Sequence, residues 1–347
     1  AGADVETLLQ KRKFDIPDNH CLSSTGQLFR TDSHGVFPQI VEELYNERAV
    51  TKKQAIKAMQ DLEKIPKDEI HKRAQVEKKI SLYTNQQWAV KILMNSLYGA
   101  MSNKWFRYYD IRMAEAITIS GQLTIRWAEQ RINKYLNELL QTDNVDFVLA
   151  IDTDSLYVRL GDLVNRVMPD ETNPDKICKF IDKVAAQKIE PLLANAYEEL
   201  KDYVNAYEQK MVMAREIIAS RVVFTGKKRY IANVLNNEGV QYSSPKLKVT
   251  GIESVRSSTP QVCRQLIEKT LKLILNEDEF AVQAFIKQAR DKFKGLPVED
   301  VAFPRGVNNL WKKQKEGIGV PIHVRAARKY NHMVKEKNLN NKYETIQ

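Results

Sequence analysis

The 347 residues carry 54 Lys+Arg against 44 Asp+Glu, a formal net charge of +10, and are 43% hydrophobic and 28% charged. That length suggests two or three structural units, each burying a core, and the composition excludes a disordered or fibrous chain. No apolar run of about 18 residues offers a transmembrane helix, no secretory signal is expected after Ala1, and Cys21, Cys178 and Cys263, odd in number and far apart, exclude a disulfide framework or a Cys-based zinc motif. A reducing, intracellular setting is the resulting expectation. The charge is uneven: residues 246–347 hold 20 Lys+Arg and 11 Asp+Glu, whereas the first 245 hold 34 and 33. A basic C-terminal block can serve a polyanion or can be a solvated helical surface.

In chain order, residues 18–37 read as short strands around a turn at Ser24-Thr25-Gly26, closed by a second turn at Asp32–Gly35. A helix is expected from about Pro38 to Lys64, with Ile40, Val41, Leu44 and Tyr45 on one side, and Pro66 ends it. A second runs from about Asp68 to Tyr98. The short connection predicts an antiparallel helical hairpin. Helix is again expected over 111–140, a β-hairpin over Asp146–Leu160, helix over 176–210, and two or three strands over 221–251 bracketing Asn236-Asn237-Glu238-Gly239. Thr259 is the expected N-cap and Pro260 the first residue of a helix in the basic block, and another spans about Glu277 to Lys294 and stops at Gly295.

Four groups of residues can carry chemistry. Asp152-Thr153-Asp154-Ser155 sits between apolar runs, and carboxylates at i and i+2 on a strand or hairpin tip can project to one side. Such a pair supplies hard oxygens to magnesium, and it can equally be an Asx-type turn that caps its own backbone. In QWAVKILMNSLYGA, Gln87, Lys91, Asn95 and Tyr98 fall in one helical stripe about 80° wide at about 100° per residue. The remaining surface is apolar, so the helix is expected to be largely buried, with Lys91 facing either a phosphate or an internal carboxylate. Arg48 and Lys52, one turn apart on the preceding helix, either join Lys91 in a three-cation triphosphate site or lie on a solvated face. Finally, Lys227, Lys228, Arg229 and Tyr230 enter a strand in which Lys228 and Tyr230 share one side, and Lys246-Leu247-Lys248 forms another alternating basic strand. A lysine beside a tyrosine can hold a sugar–phosphate backbone or a minor-groove edge, and the same strands can simply be exposed.

Together these segments resemble a family B DNA polymerase of the T-even-like phage replicative type. K-x-x-x-N-S-x-Y-G is present as Lys91, Asn95, Ser96, Tyr98 and Gly99, followed by D-T-D-S and K-K-R-Y in the family's order. WFRYYD (Trp105–Asp110), SSTP (Ser257–Pro260) and VPIHVRAARKYN (Val320–Asn331) are also similar to phage-type polymerase sequence, the last to a thumb segment. The resemblance implies an α+β, right-hand architecture with helical-hairpin fingers, an antiparallel-sheet palm and a mostly helical thumb, incomplete at both ends. Residues 1–35 would be an N-terminal piece of palm, 36–103 the fingers, 104–245 the palm and 246–347 part of the thumb. It further implies that Arg48, Lys52 and Lys91 hold the dNTP triphosphate and that Asn95 and Tyr98 face the nascent base pair. Asp154 and Asp152 would be the catalytic and metal-binding aspartates, with Glu216 a further acidic palm position. Lys228 and Tyr230, with Lys227, Lys246 and Lys248, would hold primer–template DNA.

The implied reaction is nucleotidyl transfer with two Mg2+ ions, in the cytoplasm, that of the host for a viral protein. The family's other palm motif, D-x-x-S-L-Y-P-S-I, is not in these residues, nor are the amino-terminal and 3′–5′ exonuclease domains. Lys342-Tyr343-Glu344 resembles a thumb segment that then breaks off. The chain alone is therefore expected to be inactive, as one part of a split polymerase or a truncated piece, with an N-terminal polymerase portion and a sliding clamp as partners. The alternative is a non-catalytic polymerase-like DNA-binding subunit. Two further departures are Ala150-Ile151, where the family commonly has Tyr-Gly and where Ile151 is expected to pack into the palm, and a short fingers hairpin with 43 positions between Arg48 and Lys91.

Overall fold

The computed structural model describes residues 2–308 and 320–337; Lys342-Tyr343-Glu344 lies outside them. The chain divides into two compact units, Ala1–Gly251 and Ile252–Gln347. The division falls just after the strand that carries Lys246 and Lys248, so both lysines belong to the first unit.

The first unit mixes helix with small antiparallel sheets. It opens with α1 (Val5–Leu9), started by a capping box in which Asp4 accepts from the Thr7 N–H and Thr7 reciprocates. Strands β1 (His20–Leu22) and β2 (Leu28–Arg30) pair around the expected turn. The long hairpin follows as α2 (Val36–Lys64) and α3 (Ile70–Met101), packed along one another. Glu42 near the start of α2 accepts from Lys210 Nζ at 2.6 Å, which raises the lysine's pKa.

The core is organised by α4 (Ile111–Leu140), capped at its start by Asp110. Its Ala128, Ile132, Leu136 and Leu140, one turn apart, bury against Phe147, Val148, Leu193 and Tyr197. Further along, Leu123 and Trp127 meet Leu8, Leu22, Ala196 and Leu200, and the Trp127 indole donates to the Ala196 carbonyl at 2.9 Å. The α4 stripe thus supports the hairpin of β3 (Val148–Asp152) and β4 (Ser155–Val158). Beyond it lie α5 (Gly161–Val167), α6 (Pro174–Val184) and α7 (Glu190–Tyr203), the last two joined by a π-helical turn at Ala185–Ile189. Helix therefore ends at Tyr203 rather than at 210, and Asn205 follows in the left-handed region. Strands β5 (Ile217–Gly226), β6 (Arg229–Asn237) and β7 (Val240–Thr250) make a meander in that order.

Among its described residues the second unit is helical: a 3-10 turn at Glu253–Val255, then α8 (Gln261–Asn276), α9 (Glu279–Lys294), α10 (Val298–Val301) and α11 (Ile322–Glu336). Pro260 rather than Thr259 is the cap of α8, because Pro260 is still extended at ψ 145°. Asp278 caps α9 by accepting from Ala281 N–H. Leu271, Leu275, Val324 and Val334 are buried. All three cysteines are free, and no helix among the described residues is long and apolar enough to cross a membrane.

Candidate functional site

D-T-D-S forms the tip of the β3–β4 hairpin. Asp152 pairs with Ser155, Thr153 takes a left-handed φ of 58°, and the Asp154 N–H donates to the Asp152 carbonyl at 2.7 Å. This tight turn breaks strand alternation, so the two carboxylates do not share one environment as the i, i+2 spacing predicts. Asp152 Oδ1 accepts from Lys228 Nζ at 2.7 Å and from the Thr153 hydroxyl at 3.1 Å. The Lys228 hydrogen bond, reinforced by the charges of Lys228 and Lys227, holds the Asp152 carboxyl below the usual aspartate range. Asp154 instead lines a cavity of about 620 Å3 together with Glu216, Arg215, Glu190 and Lys248. Apolar residues of β4, β5, α6 and the π-helical turn line much of the remaining wall.

K-K-R-Y is brought to the acidic tip by the β5–β6 connection. Gly226 pairs with Arg229, leaving Lys227 and Lys228 as a two-residue turn with Lys228 at φ 59°. Lys228 and Tyr230 therefore do not lie side by side on a strand face: the lysine is in the turn, and the strand begins at Arg229. Gly251 closes on this turn, where an added Cβ would stand 2.2 Å from the Lys228 carbonyl oxygen. Tyr230 is buried, with its ring centroid 5.3 Å from Tyr157 and 5.7 Å from Phe224. Burial raises the Tyr157 phenol, helped by its hydrogen bond with Tyr230. At Tyr230 burial acts in the same direction but is outweighed by hydrogen bonds with Thr250 and Tyr157 and by Lys248, so its phenol is lowered. Lys246 sits 3.8 Å from the Tyr242 ring centroid and 2.9 Å from Glu63.

The hairpin cations are only partly brought together. Arg48 Nε donates to Gln87 Oε1 at 3.2 Å, joining α2 to the polar stripe of α3 that also carries Lys91, Asn95 and Tyr98. Lys52, one turn on, pairs instead with Glu238 in the β6–β7 turn. Lys91 and Asn95 are exposed, and Lys91 has no ion pair among the described residues. The Tyr98 hydroxyl lies 2.6 Å from the Thr118 hydroxyl. Burial of α3 is not observed: Trp88, Ile92 and Leu93 are 58%, 58% and 55% exposed, because only α2 packs along most of the helix. Ile151 is likewise 37% exposed rather than packed inward, since it shares the exposed face of β3 with Leu149, two residues before it.

Residue reasoning missed Glu238, Glu63 and Arg215. Arg215 binds Asp182 and, at 2.6 Å, Asn236, while its N–H donates to Glu190 at 2.9 Å. These partners are separated by up to 186 positions, and no spacing in the chain announces them.

A divalent ion suits the chemistry here only in part. Asp154 and Glu216 present hard oxygens to one cavity, yet among the described residues no three His, Cys, Asp or Glu side chains gather closely enough to hold a metal.

Comparison with known proteins gives the same direction. The chain is 36% identical over 257 residues to the DNA-directed DNA polymerase of Escherichia phage RB69, covering 71% of this chain and 28% of the relative. It is 37% identical over 270 residues to that of Enterobacteria phage T4, covering 74% and 30%. A DNA polymerase beta of African swine fever virus is 25% identical over 316 residues, covering 84% and 24%. The chain thus spans less than a third of the length of the curated relatives it matches. The family model described as DNA polymerase family B matches residues 10–169 and 180–326, which include the hairpin cations, D-T-D-S, K-K-R-Y and most of the basic block. The chain belongs to DNA polymerase family B.

Proposed function

We propose that this chain is the fingers, part of the palm and part of the thumb of a DNA-directed DNA polymerase. The observation that carries the reading is the bond between Lys228 and Asp152, which joins the acidic D-T-D-S tip to the basic K-K-R-Y turn across 76 positions, beside the cavity that Asp154 and Glu216 line. Such a junction sets an acidic metal-binding pole against a cationic phosphate-binding one.

In this reading Arg48, Lys52 and Lys91 bind and orient the dNTP triphosphate, their charge opposing that of the phosphates. Asn95 and Tyr98 face the nascent base pair, and the Tyr98 hydroxyl is oriented by Thr118. Lys227, Lys228, Lys246 and Lys248 contact primer–template phosphates. Tyr230, being buried, acts by fixing the K-K-R-Y turn against Tyr157. Asp154 and Glu216, which line one cavity, would hold Mg2+, with Asp152 a neighbouring carboxylate that Lys228 now occupies; bound as a pair, the ions would stabilise attacking and leaving oxygens in an in-line displacement at the α-phosphate. With only this acidic set, the site is completed by a carboxylate from a D-x-x-S-L-Y-P-S-I segment outside these 347 residues, so these residues alone do not extend a primer. The polypeptide bearing that segment, with the exonuclease domain, is one partner and a sliding clamp another, in the cytoplasm of a phage host.

The test is primer extension with Mg2+ after adding a polypeptide that carries the missing segment. Extension is expected only with both components and is abolished by Asp154→Ala. A chain that binds duplex equally well with and without Asp154→Ala, and gives no extension with any partner, would instead be a DNA-binding subunit.

A further inference from the structure

The face of α2 that carries Lys52 is fastened to the β5–β6–β7 sheet at three points. Lys52 pairs with Glu238, the Gln60 amide donates to the Gly239 carbonyl at 3.2 Å, and Glu63 accepts from Lys246 at 2.9 Å. Residues 52, 60 and 63 follow one another along about three turns of one helix face. Their partners lie in the β6–β7 turn and at the middle of β7. That turn is a two-residue connection between Asn237 and Val240 in which Glu238 and Gly239 both have positive φ, 48° and 82°. This is the backbone pattern of a type I′ hairpin turn, which glycine permits at its second position. Its geometry presents the Glu238 side chain to the helix. A Cβ on Gly239 would come within 3.3 Å of the Gln60 amide, so the helix and the turn are in close apposition.

Two of these contacts neutralise cations that the proposed function assigns to ligands: Lys52 to the triphosphate and Lys246 to DNA. Each is held by a carboxylate of the opposite element. An ammonium donating to a carboxylate has a satisfied charge, and a phosphate reaching it must displace that carboxylate. The Lys52 and Glu238 side chains are 39% and 23% exposed, so the pair is partly shielded and partly open to solvent. The exposed Lys91, on the neighbouring helix, has no such competitor among the described residues.

We propose that Glu238 is a positioning residue for nucleotide binding: it holds Lys52, and through it α2, on the sheet until a triphosphate takes its place. Nucleotide and Glu238 then compete for one ammonium, and release of α2 from the β6–β7 turn accompanies binding. This role rests on the assignment of Lys52 to the triphosphate.

The test is calorimetric titration of the chain with Mg·dATP in a double-substitution cycle. Glu238→Gln is expected to tighten binding about two- to five-fold, the range expected for losing one partly shielded ion pair, and Glu238→Asp, which keeps the carboxylate and tolerates the left-handed turn, restores the weaker affinity. In a Lys52→Ala background Glu238→Gln is expected to change nothing. Equal tightening in both backgrounds would overturn the role, since Glu238 would then be acting on the phosphates through space. Glu238→Gln without effect in the natural background would overturn it too. Lys91→Ala is the separate control: if the unsubstituted chain binds no nucleotide, or Lys91→Ala leaves binding unchanged, the triphosphate site itself is wrong and the role falls with it. If Lys91→Ala weakens binding while Glu238→Gln does nothing, the site stands and only the role of Glu238 is lost.

Discussion

At the scale of single residues, Lys228 is the hinge of the proposed site. Its left-handed backbone, its contact with Asp152 and the close approach of Gly251 to its carbonyl oxygen all define one turn. The Lys228 ammonium is also the largest cause of the depressed Asp152 pKa. A carboxyl lowered in the folded state contributes stability above its unfolded value and loses it as pH falls through the folded value. Lys228→Met should therefore move the Asp152 titration upward towards the ordinary aspartate range, as read by carbon NMR of the side-chain carboxyl across acid pH. An unmoved titration would show that the ion pair is not formed in solution. The D-T-D-S and K-K-R-Y motifs were both legible in the chain, but their bond was not. Nor was the burial of Tyr230, because strand alternation places it on the Lys228 face only if the turn falls earlier.

Among the elements, α4 does the supporting. Its buried stripe of Ala128, Ile132, Leu136 and Leu140 carries Phe147 and Val148 and hence the β3–β4 hairpin at whose tip Asp154 lies. Leu136, 1% exposed, has no room to be lost without a cavity. Leu136→Ala should lower unfolding free energy by about 2–5 kcal/mol, measured as a shift of the urea midpoint with the slope unchanged. A cost below about 1 kcal/mol would mean that the site closes over the cavity or that the side chain is not fully packed. The α4 boundaries were legible to the residue, Ile111 to Leu140, from an apolar period only roughly in step, in which Ile117 proves exposed; the structure adds the Asp110 cap. Those of α3 were read almost as well, but its environment was not. An apolar stripe predicts a partner surface without supplying one, and Trp88, Ile92 and Leu93 remain exposed.

For the whole molecule, the net charge of +10 is concentrated in residues 246–347, and the division into two compact units falls near the same place. A chain that holds duplex through these lysines and arginines must release condensed counterions, so affinity should fall steeply and linearly on a log–log plot against salt, with a slope of about −0.9 per phosphate contacted. Fluorescence anisotropy of a labelled primer–template over a salt series measures it. A slope near zero would remove the polyanion from the reading, while replacing Lys246 and Lys248 together should make the slope shallower by about 2.

The sequence by itself determined the family, the order of helices and strands, and the residue types that chemistry would require, because motifs and apolar periods are local properties of the chain. Only the tertiary structure decided which charges meet. Lys52 goes to Glu238, Lys246 to Glu63 and Lys228 to Asp152, pairs 186, 183 and 76 positions apart. Ion pairing selects partners by distance in space, and that distance is set by how α2 lies on the sheet and how two short turns are wound, neither of which any window of sequence contains.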